Sequence, residues 1–158
     1  MTITSITPFL WFDTQAGDAA EYYVSLFPNS RILHVSHYGD FVPGKAGQVM
    51  VVDLELAGQR LTFMNGGPNF KLDEAFSLSV ACETQADIDR LWGMLAHKPN
   101  ACGWTRDKFG LVWQINYAGL PELMRDQPRT NRVMTAMMTM VKIDIAALKA
   151  AADGAVNP

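Results

Sequence analysis

The chain has 158 residues, 49% hydrophobic and 18% charged, the ordinary make-up of a globular protein able to bury a core without disulfide or metal support. Thirteen basic against sixteen acidic residues leave a net charge of −3, which offers no footprint for nucleic acid and contains no like-charge run suited to a membrane surface. No apolar stretch nears the roughly 20 residues that span a bilayer, and the opening MTITSITPFLWFD lacks the basic and long apolar regions of a signal peptide.

In chain order, ITPFLWF at 6–12 reads as a strand. Thr14 is a good N-cap for a following helix, whose buried face is Ala16, Ala20, Tyr23 and Phe27; Pro28-Asn29 ends it. Three strands follow: SRILHVSHY at 30–38, QVMVVDLEL at 48–56 and QRLTFMN at 59–65. A Gly-rich loop at 39–47 separates the first two, and Ala57-Gly58 makes a hairpin of the last two. Side chains alternate along a strand, so Met50, Val52, Leu54 and Leu56 form a packing face and leave Asp53 and Glu55 on the other. Asn65 shares a face with Leu61 and Phe63. His34 and His37 fall on opposite faces and cannot chelate together.

The pattern then restarts. FSLSVAC at 76–82 is a strand, and Glu83-Thr84-Gln85-Ala86 repeats Asp13-Thr14-Gln15-Ala16. Thr84 with Asp87 resembles a capping box. Ile88, Leu91, Trp92 and Leu95 form one helical face, and Lys98-Pro99-Asn100 ends that helix. ACGWTRD at 101–107 and LVWQINY at 111–117 complete the copy as β-α-β-β, one strand short, because too few residues separate the helix from Gly103 to hold another. Phe76, Leu78, Val80 and Cys82 pack one way in the first of these strands, as Leu111, Trp113, Ile115 and Tyr117 do in the last. The small polar faces left over, Ser77 and Ser79 with Gln114 and Asn116, are free to meet a ligand. Of the four tryptophans, Trp104 is the one placed to touch it; the others read as core.

Three helical segments close the chain, LPELMRD at 120–126, TNRVMTAMMTMVK at 130–142 and IDIAALKAAAD at 143–153. Met134, Met137, Met138 and Val141 form an apolar stripe that suits core or subunit packing. A sheet short of a strand exposes an edge that needs cover, and Met134, Met137, Met138, Ile145 and Leu148 are suited to supply it against a second chain, which predicts a homodimer. The fold class is α+β: two βαβββ modules at about 3–68 and 74–118, with a helical segment at 119–154, in one domain. Cys82 and Cys102 form no CxxC motif and point to the reducing cytoplasm. Asp53 and Glu55 are the candidate catalytic groups, since two enclosed carboxylates on one face make an acid/base pair.

The phrases ITPFLWFDTQAGDAAEYYVSLFPNSRI, MNGGPNF and CGWTRDKFGLVWQI resemble the PhnB-like, or demethylubiquinone 3-methyltransferase-like, branch of the glyoxalase/bleomycin-resistance/dioxygenase (vicinal oxygen chelate) superfamily. The resemblance implies curved sheets around a cleft, with four strand positions that hold a metal in some members. By spacing from the shared motifs those positions are Ile6 or Pro8, Asn65, Ser77 and Gln114. Ile and Pro offer no donor, and neutral amide and hydroxyl oxygens poorly replace the His and carboxylate ligands of transition metals, so no metal and no other cofactor is expected. NGGP at 65–68 lacks GxGxxG spacing and leads into no helix, which speaks against an S-adenosylmethionine site and a methyltransferase. The expected function is binding of a small organic molecule in a metal-free cleft lined by Asn65, Ser77, Ser79, Trp104, Gln114 and Asn116, with any catalysis unassigned. The alternatives are a divalent-metal lyase, isomerase or dioxygenase, and a non-catalytic sequestering protein.

Overall fold

Leu10 and Phe12, Val52 and Leu54, Leu61 and Phe63 alternate with more exposed neighbours on three strands, and that alternation turns one face of a sheet toward a helix. The computed structural model describes residues 1–154, in two compact units, Met1–Leu72 and the chain from Asp73 onward.

The first unit runs β1 (Phe9–Phe12), α1 (Ala16–Leu26), β2 (Arg31–His37), β3 (Val49–Leu56) and β4 (Gln59–Asn65). The strand order is β1-β4-β3-β2, with β1 parallel to β4 and the other pairs antiparallel. Helix α1 packs on β3 and β4 through Ala16, Ala19, Ala20 and Tyr23, all fully buried. The alanines let the helix approach closely, and the Tyr23 ring meets Phe63 edge-on at 5.9 Å. The hairpin is made as expected: Ala57 and Gly58 both take positive φ, 46° and 88°, the twist that two-residue hairpin loops favour.

Two local expectations change here. Thr14 does not cap α1; the N-cap is Gln15, whose side chain makes no capping bond, and a residue from β4 takes over the task. The period of β2 is broken by register shifts between Ile32 and His34 and between Ser36 and His37. His34 pairs with Asp53 and His37 with Val49, both on one face of β3, so the parity that separated the two histidines does not hold across bulges.

The second unit repeats the plan: β5 (Leu78–Cys82), α2 (Gln85–Leu95), β6 (Lys98–Pro99), β7 (Trp104–Arg106) and β8 (Val112–Tyr117), in the order β5-β8-β7-β6. The strand that seemed missing is therefore present, two residues long. Lys98 and Pro99 leave α2 and pair with Arg106 and Thr105. Pro99 has no N–H to donate, which an edge strand tolerates. Thr84 caps α2 as read, with Asp87 N donating to Thr84 Oγ1 at 3.1 Å; the reciprocal contact differs from a capping box, since the Thr84 hydroxyl and not its backbone N–H donates to Asp87 Oδ2, at 2.6 Å.

The C-terminal helices are shorter than their sequence patterns: α3 (Leu120–Leu123), α4 (Gln127–Met137) and α5 (Ile145–Asp153). Asp126 caps α4 and Asp144 caps α5. Because α4 ends at Met137, Met138 and Val141 leave the expected stripe and are exposed, at 68% and 53%. Met137, Ile145 and Leu148 are instead buried together with Val133 and Ile143. Gln85 fastens the tail at two points, donating to Ile143 O at 3.0 Å and accepting from Ile145 N at 2.9 Å. Three of the five residues expected to cover a second subunit thus find their packing inside their own chain.

Candidate functional site

The most organised polar surface lies on the face of the second sheet away from α2. Cross-strand register sets Ser79 beside Gln114, Gln114 beside Trp104, and Ala81 beside Asn116. Since every second residue shares a face, Ser77, Ser79, Trp104, Gln114 and Asn116 stand together. Their opposite-parity neighbours Cys82, Thr105, Trp113 and Ile115 are buried. Gln114 Nε2 donates to Ser77 Oγ at 2.8 Å, and Asn116 Nδ2 to Ser79 Oγ at 3.3 Å. Asn116 Oδ1 is buried without a hydrogen-bond partner, a state that costs free energy until a donor arrives.

Beyond Trp104 the same face carries residues that the sequence reading passed over. Arg106 follows Trp104 by two positions, and Lys98 is its cross-strand partner. Arg106 Nη2 meets Glu74 Oε1 at 2.6 Å. The hydrogen bond from Arg106 holds the Glu74 carboxyl below the usual carboxylate range. These residues line a cavity of about 190 Å³ with Trp104 and Val112. The strand period of WTR alone marks Arg106; Lys98 was hidden by its reading as a helix end.

In the first unit, Asp53 and Glu55 do share the face away from α1, on the half-buried side of β3. Both are engaged: Thr62 Oγ1 donates to Asp53 Oδ1 at 2.6 Å, and Arg31 Nη2 lies 3.4 Å from Glu55 Oε1. Trp11 is not core; its Nε1 donates to Gly67 O at 2.8 Å and its ring meets Phe70 edge-on at 5.1 Å. Asn65 lies on the helix side of the sheet with Leu61 and Phe63, 8% exposed. Its Oδ1 accepts from Ala16 N at 2.7 Å and its Nδ2 donates to Val49 O at 3.0 Å. The amide closes the start of α1, so its first duty is structural.

The positions that the superfamily resemblance marks for a metal do not fit one. Asn65 is occupied by two backbone partners, Ser77 and Gln114 bond each other, and Ile6 and Pro8 have no side-chain donor. Among the described residues no three His, Cys, Asp or Glu side chains converge. Asn65, Gly67 and Pro68 of the NGGP loop border a cavity of about 380 Å³, but Gly66 N and Gly67 N donate to Phe12 O and Asp13 O, so neither amide is left to hold a phosphate. A Cβ on Gly66 would overlap the Trp11 ring at 2.1 Å, which is why glycine stands there.

Comparison with known proteins decides the relationship. Residues 4–116 match the family model of 3-demethylubiquinone-9 3-methyltransferase. The chain belongs to this family. The PhnB protein of Bacillus cereus is 34% identical and shares the fold with a TM-score of 0.65, over 73% of this chain and 100% of that one. A Pseudomonas aeruginosa protein, 20% identical over 73% of this chain and 98% of its own, has the same fold at a TM-score of 0.56. The genomically encoded fosfomycin resistance protein of Listeria monocytogenes also matches, at 12% identity, 77% and 98% coverage and a TM-score of 0.49. No curated protein matches significantly. The 3-demethylubiquinone-9 3-methyltransferase family is thus the PhnB-like branch expected from the motifs, and the α+β structure of two four-stranded open sheets with C-terminal helices is its two-module fold.

Proposed function

We propose that this family member binds a small organic molecule on the face formed by Ser77, Ser79, Trp104, Gln114 and Asn116, without a metal ion. The observation that carries the reading is the pair of cross-strand bonds, Gln114 to Ser77 and Asn116 to Ser79. They hold amides and hydroxyls at fixed spacing beside an indole, the mixture of few oriented polar groups and aromatic surface that small-molecule sites use. The unpaired Asn116 Oδ1 supports it, since a ligand donor would satisfy that oxygen. Asn65 is left out of the site because its amide already has two partners.

The same reading takes the working form as a homodimer in the cytoplasm. The two free thiols, Cys82 and Cys102, support a reducing compartment, and the exposed Met134, Met138 and Val141 support a second copy. We assign no reaction.

A screen of neutral and charged metabolites by protein-observed NMR tests the proposal. Ligands are expected to shift the side-chain amide signals of Gln114 and Asn116 and the indole signal of Trp104. Ligands that bind while leaving all three unmoved would place the function elsewhere.

A further inference from the structure

Lys98 and Arg106 are direct cross-strand partners in the short β6–β7 pair. Like charges in that position repel, and the structure offers them one acid. Among the described residues Glu74 is the sole carboxylate lining the cavity that they share. It lies 2.6 Å from Arg106, and Lys98 forms no ion pair among the described residues. One positive charge is left without a counter-charge, in a recess of about 190 Å³ beside Trp104.

Building on the binding reading above, we propose that the ligand of this face is a small carboxylic acid, whose carboxylate sits between Lys98 and Arg106 while its apolar body lies along Trp104 toward Gln114. The chemistry follows from what already occupies Arg106. The Glu74 carboxylate shows that the guanidinium accepts a carboxylate there. Glu74 is 57% exposed and its pair with Arg106 is a surface ion pair, a class of contact that is weak and easily exchanged. A ligand carboxylate reaching both cations would neutralise the second charge, which Glu74 leaves unbalanced. Its body would then run from β7 toward β8, since Trp104 is the register partner of Gln114. Glu74 acts in this scheme as a resident competitor for the ligand's acid group.

The test uses 3-phenylpropionate and its neutral amide, 3-phenylpropionamide, titrated into the full-length protein and followed by NMR. The acid is expected to bind about tenfold more tightly than the amide. Lys98→Gln and Arg106→Gln are each expected to remove most of that advantage, lowering affinity for the acid far more than for the amide. Glu74→Gln, which removes the competing carboxylate, is expected to tighten the acid alone. Equal affinity for acid and amide, with shifts at Gln114 and Asn116, would overturn the acid class and keep the face as a binding site. An acid that binds no better to Glu74→Gln than to the wild type would also overturn the proposal. So would the absence of any shift with either compound up to millimolar concentration, a result that leaves the wider binding reading to the metabolite screen.

Discussion

Asn65 caps a helix that starts 49 residues before it: its Oδ1 accepts from Ala16 N at 2.7 Å, while its Nδ2 donates to Val49 O at 3.0 Å. One amide thus ties the end of β4 to the start of α1 and to β3. Asn65→Ala leaves an orphan N–H and an orphan carbonyl in a nearly buried position, and is expected to cost about 1–3 kcal/mol in urea unfolding. Asn65→Asp keeps the acceptor and places a negative charge at a helix N-terminus, so it is expected to cost less. A neutral effect of Asn65→Ala would refute the capping role.

Gly103 adopts φ of 77°, and a Cβ there would lie 2.6 Å from Ile115 O and 2.8 Å from Ile143 Cγ1. Gly103→Ala is expected to lose at least about 2 kcal/mol, since both the backbone and a carbonyl resist it. Gly93 offers the contrast. It lies within α2 with nothing near its missing Cβ, so Gly93→Ala is expected to stabilise by about 0.5–1 kcal/mol. Thermal or urea melts of the two variants should move in opposite directions.

Trp113 and Gln114 are neighbours with opposite fates. Trp113 is 1% exposed and its Nε1 donates to Asp107 Oδ2 at 2.7 Å; Trp113→Ala is expected to cost about 3–5 kcal/mol. Gln114→Ala should leave stability within about 1 kcal/mol of wild type and change ligand affinity. A folded Trp113→Ala protein beside an unfolded Gln114→Ala protein would mean the faces of β8 are exchanged.

The two thiols should differ in their reactivity toward alkylating agents. Burial, with a smaller push from the charge on Asp87, raises the Cys82 thiol above its ordinary value. A raised value means less thiolate at any given pH, so alkylation of Cys82 in the native protein should begin only at a pH above that of an unfolded cysteine. Cys102 is only half buried. Iodoacetamide at pH 8 is expected to modify Cys102 first, with Cys82 reacting after denaturation. Equal native rates would contradict the burial of Cys82.

The homodimer predicts a light-scattering mass near twice 17.5 kDa at micromolar concentration. Deleting the tail is a poor test, because Val133, Ile143 and Leu148 belong to the core of the second unit. Met138→Lys is better, since Met138 is 68% exposed; it is expected to weaken the dimer without lowering the melting temperature of the monomer. A wild-type mass near that of one chain would reject the dimer.

The sequence by itself determined the duplication, the helices α1 and α2, their buried faces and the parity of β3, β5 and β8. Each rests on contacts within a few residues or on regular hydrophobic spacing. The Thr84 cap of α2 was legible for the same reason. Thr14, in the matching place, failed as a cap because Asn65 arrives from a distant strand to do its work. Strand β6 was invisible because two residues carry no period; Lys98 and Pro99 are a strand only through pairing with Arg106 and Thr105. The bulges in β2 likewise depend on its partner β3. Tertiary structure alone decided which apolar groups of the tail were already covered, and which charges, Lys98, Arg106 and Glu74, came to share one recess. Local pattern sets which way a side chain faces; what it meets there depends on chain segments that only folding brings together.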